Sequence, residues 1–123
     1  AARDLVMNDS PSKGWPERLT IKDGSEFQII RTEDIQWIDA AGDYMCVHAG
    51  GNTHIMRTTM KHLETCLNPD IFIRVHRSSI VNSNSITSAA SHLNGEYILT
   101  LDGGARLKVS RSYRDRIKSL LES

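Results

Sequence analysis

The sequence is short of the residue types and patterns that mark several specialised classes of protein. Its 123 residues include only two cysteines, Cys46 and Cys66, which argues against a disulfide-stabilised scaffold. No apolar run approaches the roughly 20 residues of a membrane-spanning helix, and the N-terminus lacks the pattern of a secretory signal. Aromatic residues are only 6% of the chain and the formal net charge is zero. These two values disfavour RNA binding through base stacking and a uniformly basic surface.

Motifs for enzyme chemistry and for cofactor binding are also missing. The sequence has no nucleophile elbow, phosphate-binding loop, dinucleotide fingerprint or zinc-protease motif. His48 and His54 could face each other across a hairpin, but two imidazoles without a third ligand favour ordinary cross-strand histidines over zinc. Glu33 and Asp34 are adjacent, so in an extended chain their carboxylates point to opposite faces. We therefore expect no enzyme, no cofactor and no metal site, and we expect both cysteines to behave as small buried hydrophobic residues.

Length and composition indicate one globular domain. The chain is 39% hydrophobic and 24% charged, which is ordinary for a folded protein, and its length suits a single core. Residues 1–17 show no period and contain Pro11, Gly14 and Pro16, so we expect a linker or a cloning remnant there. The domain is predicted to occupy residues 18–123.

Most of the remaining sequence predicts short strands joined by tight turns. Asp23-Gly24-Ser25, Gly50-Gly51-Asn52 and Asp102-Gly103-Gly104 each separate two extended segments, as hairpin turns do. Residues 35–39 carry apolar side chains on both faces, which predicts a central strand. Residues 58–67 and 112–122 instead have a helical period, the first with a threonine cap and the second with a Ser112/Asp115 capping box. The sequence predicts a mainly β, antiparallel sandwich or open barrel with one short inserted helix and a C-terminal helix.

The charges are unevenly distributed along the chain. Residues 1–60 contain six Lys/Arg and nine Asp/Glu, a net of −3, and residues 61–123 contain nine and six, a net of +3. Residues 105–118 hold six basic residues against Asp115 alone, a net of +5. A neutral protein of this kind can present one positive face to a phosphate backbone, although a solvated helix face would give the same pattern.

Two segments combine basic residues with hydroxyl donors. Residues 74–82 read Arg-Val-His-Arg-Ser-Ser-Ile-Val-Asn, and residues 108–114 read Lys-Val-Ser-Arg-Ser-Tyr-Arg at the start of the last predicted helix. Arginine can bind guanine with two hydrogen bonds, whereas lysine, serine, asparagine and tyrosine bind phosphate oxygens. Surface strand residues and simple helix caps would explain each segment alone, but their matching composition favours a binding function.

These residues resemble the signature of LytTR DNA-binding domains. The central match is residues 72–82 with Ile86 after them, and flanking matches occur in the same order over most of residues 18–121. The flanking segments are residues 35–44, residues 57–60 leading to Leu63 and Leu67, and residues 107–113.

The resemblance implies an elongated fold of about ten β-strands that contacts double-stranded DNA through loops in the major groove. Transferred by position, it implies base contacts by Arg77, Arg111, Tyr44 and Met45. It also implies contacts to the DNA backbone, or support of the binding loops, by a second set of residues. That set is Asp43, Lys61, His76, Ser78, Asn82, Ser110 and Arg114.

The resemblance further implies the protein's context. Such domains usually follow a receiver domain or membrane segments in bacterial transcription regulators of two-component systems, and they bind paired direct repeats as dimers. A cytoplasmic location follows. The residues alone leave two alternatives open: a protein-interaction β-module whose basic patch engages an acidic partner, and a small-molecule sensor or enzyme with a concave pocket.

Overall fold

The computed structural model describes residues 3–8 and 15–122, and within these ranges the chain forms eleven strands and two α-helices. The strands are β1 (Arg3–Asn8), β2 (Arg18–Asp23), β3 (Glu26–Arg31), β4 (Ile35–Ala41), β5 (Tyr44–Ala49), β6 (Asn52–Arg57), β7 (Phe72–His76), β8 (Ser79–Asn82), β9 (Ile86–Ser91), β10 (Tyr97–Leu101) and β11 (Arg106–Val109). The helices are α1 (Met60–Cys66) and α2 (Arg114–Glu122). The predicted fold class is confirmed.

The strands form one eight-stranded sheet and one three-stranded sheet. The order is β3-β2-β1-β6-β5-β4-β8-β7 in the large sheet and β11-β10-β9 in the small one. All paired strands are antiparallel except β1 and β6, which are parallel. The predicted glycine turns each join neighbouring antiparallel strands, as expected.

The large sheet curls so that both of its ends contribute to one core. Strands β3 and β4 are far apart in the strand order but are joined by the short 3-10 turn Thr32–Asp34. Alternation in β2 directs Leu19 and Ile21 inward, where they pack in the same cluster as Ile38 of β4. Leu63 of α1 closes this first core.

A second core lies on the other face of β7 and β8. Ile73, Val75 and Val81 pack there against Leu99 of the small sheet and Ile117 of α2. Strand β4 lies between β5 and β8, with Ile35 and Ile38 in the first core and Trp37 against the second. The prediction of a central strand at residues 35–39 is confirmed.

The predicted threonine cap of α1 is confirmed, whereas α2 begins later than the sequence predicted. Thr59 caps α1, and its side-chain oxygen accepts a hydrogen bond from the His62 backbone N–H at 3.0 Å. The second helix is preceded by a 3-10 turn, Arg111–Tyr113, in which the Tyr113 N–H donates to the Ser110 carbonyl at 3.0 Å. Because α2 begins only at Arg114, the predicted capping box starting at Ser112 is wrong.

Part of the predicted N-terminal linker is a strand. Residues 3–8 form β1, which pairs with β2 over Asp4↔Lys22 and Leu5↔Ile21 and with β6 over Arg3↔Met56. The prediction of a structureless segment is therefore wrong for these residues, while residues 9–14 lie outside the described residues. The domain boundary at residue 18 stays a prediction. Among the described residues, no helix is long and apolar enough to cross a membrane.

Candidate nucleic-acid interface

The β4–β5 turn and the β7–β8 turn lie at the same end of the large sheet. Strand β4 pairs with β8 through Asp39↔Ser79, so the C-terminal end of β4 meets the N-terminal end of β8. The Ala40 backbone N–H donates to the Ser78 carbonyl at 2.9 Å, just beyond that pair. Gly42 has a φ of +64°, which glycine tolerates without strain, and it turns the chain so that Asp43 is exposed at this end.

The junction between β11 and α2 reaches the same end from a distant part of the sequence. The Ser110 backbone N–H donates to the Val75 carbonyl at 3.0 Å, which places Arg111 beside the end of β7. Arg77 and Arg111 are both exposed, and neither forms an ion pair with a carboxylate among the described side chains. We call this end of the molecule, made of residues 42–44, 57–61, 76–78 and 110–113, the loop end.

Helix α1 contributes Lys61 to the loop end. The register Met45↔Met56 brings the end of β6, and therefore the start of α1, beside the β4–β5 turn. Glu64 of α1 forms an ion pair with Arg74 of β7, with 2.5 Å between Oε1 and Nη1. Lys61 is exposed and lies one turn before Glu64 on the same helix face.

Hydrogen bonds around His76 hold the β7–β8 turn in shape. The Ser78 backbone N–H donates to His76 Nδ1 at 3.2 Å, and Ser78 Oγ lies 2.9 Å from the same nitrogen. A backbone N–H can only donate, so Nδ1 is the acceptor and Nε2 carries the ring proton. His76 thus supports the turn with one nitrogen and presents a donor with the other.

Arg74 also supports this turn, from inside the protein. Its Nε donates to the His76 carbonyl at 3.1 Å and its Nη2 donates to the Arg77 carbonyl. Its guanidinium carbon lies 5.7 Å from the centre of the Tyr113 ring, within cation–π range. Sequence reasoning noted Arg74 only as part of a basic segment, and nothing in the local sequence distinguishes it from Arg77.

Several predicted contact residues lie elsewhere or are already engaged. Met45 is 6% exposed and belongs to the first core, so the predicted base contact by Met45 has no side-chain surface to support it. Arg114 extends toward the β9–β10 turn, where its Nη1 lies 3.4 Å from the Gly95 carbonyl. Ser110 makes no side-chain cap, and Tyr44 is partly exposed beside Asp43. The DNA contacts of these exposed residues stay predictions.

Asn82 is a structural residue at the opposite end of β8. It is 3% exposed, its Nδ2 donates to the Ile35 carbonyl at 2.8 Å, and its Oδ1 accepts from the Asn84 N–H at 2.8 Å. A direct phosphate contact by Asn82 is therefore wrong, because both polar atoms are satisfied inside the protein. Its remaining predicted role, support of a loop, fits these contacts.

We expect Asn82→Ala to lower the free energy of unfolding by about 1–3 kcal/mol, because it leaves a buried carbonyl without its donor. Urea unfolding measures the change. Asn84→Ala is the control, since Asn84 is exposed and contributes its backbone N–H, which the substitution keeps. Equal losses in the two variants would contradict the structural role of Asn82.

One exposed cation of the loop end was not singled out from the sequence. Arg57 ends β6, immediately before the threonines that precede α1. Its position at a strand end beside a helix start was the available signal, but the charge counts did not single it out. It adds a further positive charge near Lys61.

Acidic residues gather at the end opposite the loop end. A cavity of about 620 Å³ lies there, and its lining includes Glu17, Glu33, Asp34 and Asp102 together with the amide groups of Asn68 and Asn84. The 3-10 turn Thr32–Asp34 and the β5–β6 turn form part of its wall, since the Gly50 N–H donates to the Asp34 carbonyl at 3.2 Å. The carboxylates that line this cavity and the exposed cations of the loop end therefore lie at opposite ends of the strands, with Asp43 as the acidic residue of the loop end.

The histidine and cysteine residues form no obvious reactive site. His48 pairs with Thr53, not His54, across the hairpin, and its Nε2 lies 2.7 Å from Asp39 Oδ1. Within the part of the chain that the structure describes, no group of three or more ligating residues is placed to hold a metal ion. Burial raises the pKa of the Cys46 thiol, and the Asp39 carboxylate raises that pKa further, so the thiol form is favoured.

Comparison with known proteins identifies the family. The family model described as the LytTr DNA-binding domain matches residues 25–122. The chain belongs to the LytTR family. A solved LytTr DNA-binding domain of a Bacillus cereus response regulator superposes with a TM-score of 0.76 and 28% identity, covering 85% of this chain and 96% of that one.

Full-length relatives of this LytTR domain are longer proteins. The sensory transduction protein LytT of Bacillus subtilis is 29% identical over 97% of this chain and 49% of its own length. The same-named protein of Bacillus anthracis is 33% identical over 76% of this chain and 38% of its own length, and the transcriptional regulatory protein LytR of Staphylococcus aureus is 25% identical over 94% and 47%. The chain thus spans about half, or less, of the relatives it matches.

Proposed function

We propose that this LytTR domain binds double-stranded DNA in a sequence-specific manner and is the non-enzymatic output domain of a bacterial transcription regulator. The single observation that carries the proposal is the convergence of Arg77 and Arg111, from segments more than 30 residues apart, at one end of the fold. Both are exposed and without a described carboxylate partner. An unneutralised pair of guanidinium groups on neighbouring turns suits the edges of bases and phosphate oxygens.

The turns of the loop end are proposed to enter the major groove. Tight turns that project from a packed sheet can hold arginine side chains rigidly enough to form two hydrogen bonds with guanine. We assign base contacts to Arg77, Arg111 and Tyr44, and we do not retain Met45, which is buried. His76, Ser78, Lys61 and Ser110 are assigned to the DNA backbone or to support of the turns, as is Arg114.

Separation of charge orients the domain on DNA. The carboxylates at the cavity end are repelled by phosphates, and the cations of the loop end are attracted to them. Asp43 lies within the loop end, where it favours a base that offers a donor over a phosphate contact. A zero net charge is therefore compatible with a preferred approach to the duplex.

The context of the domain is proposed from its family. We propose that it binds paired direct repeats as a dimer in the cytoplasm, and that a receiver or membrane sensor domain precedes it in a longer chain. The names of its relatives, sensory transduction and transcriptional regulatory proteins, support a two-component system.

Selection from a random duplex library, followed by competition at physiological salt, tests the proposal. We expect one enriched duplex to bind far more tightly than its scrambled version, with an affinity that falls steeply as salt increases. Equal affinity for every duplex would reject sequence-specific binding, and capture of an acidic protein by the same surface would then favour the interaction module.

We expect Lys61→Ala to weaken binding to all duplexes alike and to reduce the slope of log affinity against log salt by about 1, as loss of one phosphate contact does. Binding titrations over a salt series measure the slope. Arg106→Ala removes an exposed charge at the far end of β11 and should leave the slope unchanged. A loss confined to one sequence would contradict a phosphate contact by Lys61.

A further inference from the structure

Arg74 stands out in the basic segment because its guanidinium group faces the protein. The side chain is 23% exposed, and each of its three nitrogens has a partner within the domain. Two of them donate to the carbonyls of His76 and Arg77, and the third pairs with Glu64. The group therefore has little remaining capacity to bind a phosphate or a base.

The partners of Arg74 come from three separate elements of the loop end. The carbonyls belong to the β7–β8 turn, Glu64 belongs to α1, and the Tyr113 ring belongs to the 3-10 turn that begins with Arg111. Two hydrogen bonds to successive carbonyls fix the orientation of both peptide planes. They thereby fix the direction in which the Arg77 side chain leaves the backbone.

We propose that Arg74 is a positioning residue, which sets the orientation of Arg77 relative to Arg111 and so acts on base selectivity without contacting DNA. The proposal rests on the proposed function, since it concerns the same interface. The planar guanidinium group is needed because it offers donors in three fixed directions and a flat face for Tyr113. A lysine ammonium keeps the charge but cannot hold the two carbonyls, Glu64 and the ring in the same arrangement.

The salt dependence of binding distinguishes a positioning role of Arg74 from a phosphate contact. Glu64 neutralises Arg74 within the protein, so Arg74 should release no counterion when DNA binds. Loss of a positioning residue should lower selectivity and leave the salt slope unchanged. Loss of a phosphate contact should instead reduce the salt slope and leave selectivity unchanged.

The test compares R74K with the wild-type domain on the selected duplex and on duplexes with single base pairs exchanged, over a salt series. We expect the affinity ratio of matched to exchanged duplex to fall roughly tenfold at the base pair read by Arg77. Because R74K keeps the charge, the salt slope is measured in R74Q, which removes it, and there the slope should be unchanged. In an R77A background, R74K should cause almost no further loss at that base pair, because two changes that act through one contact are not additive.

Variants of the partners keep the proposal testable if R74K is poorly folded. Y113L removes the ring face and should lower the same ratio, whereas Y113F keeps the ring and should preserve that ratio. E64Q keeps an acceptor without the charge, and its effect should be smaller than that of Y113L. Thermal unfolding of each variant shows whether it is folded.

A measurement without DNA distinguishes failure of this proposal from failure of the proposed function. Hydrogen exchange of the Ser78 amide, which donates to His76 Nδ1, should accelerate by about tenfold or more in R74K if Arg74 orders the turn. If the wild type showed no sequence preference but the exchange accelerated, the proposed function would fail and the ordering of the turn by Arg74 would stand. Unchanged exchange in R74K, or a salt slope reduced by about 1 with intact selectivity in R74Q, would overturn the proposal.

Discussion

Arg77→Ala is expected to lower the affinity for the selected duplex by about 1–3 kcal/mol and to abolish discrimination at one base pair. The side chain projects from a turn that Arg74 and His76 hold in place, so little backbone entropy is lost when it binds. Titrations with duplexes that carry each base pair at each position measure the effect.

The matched controls for Arg77 separate charge from geometry. Arg77→Lys keeps the charge but loses the planar pair of donors. Compared with Arg77→Ala, it should restore the salt dependence of binding but not the base preference. Arg106→Ala removes an equivalent charge on β11 away from the loop end. It should change neither the salt dependence of binding nor the base preference. If Arg77→Ala lowered the affinity for matched and exchanged duplexes by the same factor, its role in base recognition would be refuted.

Arg111→Ala should produce a loss of similar size at a different base pair. Arg111 lies at the start of a 3-10 turn, and the bond from Ser110 N–H to the Val75 carbonyl joins that turn to β7. Its side chain therefore has a fixed origin beside the β7–β8 turn. Binding to the same panel of duplexes measures the loss, and the position affected should be separated along the DNA from the position read by Arg77.

The double variant tests whether the two arginines read separate base pairs. Contacts at well-separated positions usually contribute additively, so Arg77→Ala with Arg111→Ala should lose about the sum of the two single losses. Ser112→Ala is the local control, because it changes an exposed neighbour of Arg111 without removing charge. A double variant no weaker than either single variant would indicate that the two side chains share one contact.

Local patterns predicted the elements of this fold better than their arrangement. Glycine turns and alternation identified the hairpins, and a helical period identified both helices, because these signals depend on neighbouring residues. The order of the strands depends on pairings between distant segments, which no local signal specifies. Strand β1 was missed because the N-terminal segment shows no period, and its parallel pairing with β6 crosses about 50 residues.

The candidate site shows the same difference between local signals and contacts of distant residues. The resemblance implied that Arg77 and Arg111 share one binding surface, whereas the composition of the two basic segments alone also allowed ordinary surface residues. Burial of Met45 was missed because its base contact was transferred by position from the resemblance, although Met45, Val47 and Ala49 alternate on the buried face of β5. Arg74 and Arg77 differ in role because the partners of Arg74, Glu64 and Tyr113, lie 10 and 39 positions away in the sequence.

The hairpin of β7 and β8, at one edge of the large sheet, packs on both of its faces. Phe72 and Ile80 enter the first core, while Ile73, Val75 and Val81 enter the second. If either core is lost, the hairpin loses the burial on that face. The hairpin then supports the other core less well. We therefore expect the two cores to unfold together in one cooperative transition, in which the strands that carry the Arg77 turn lose their packing on both faces.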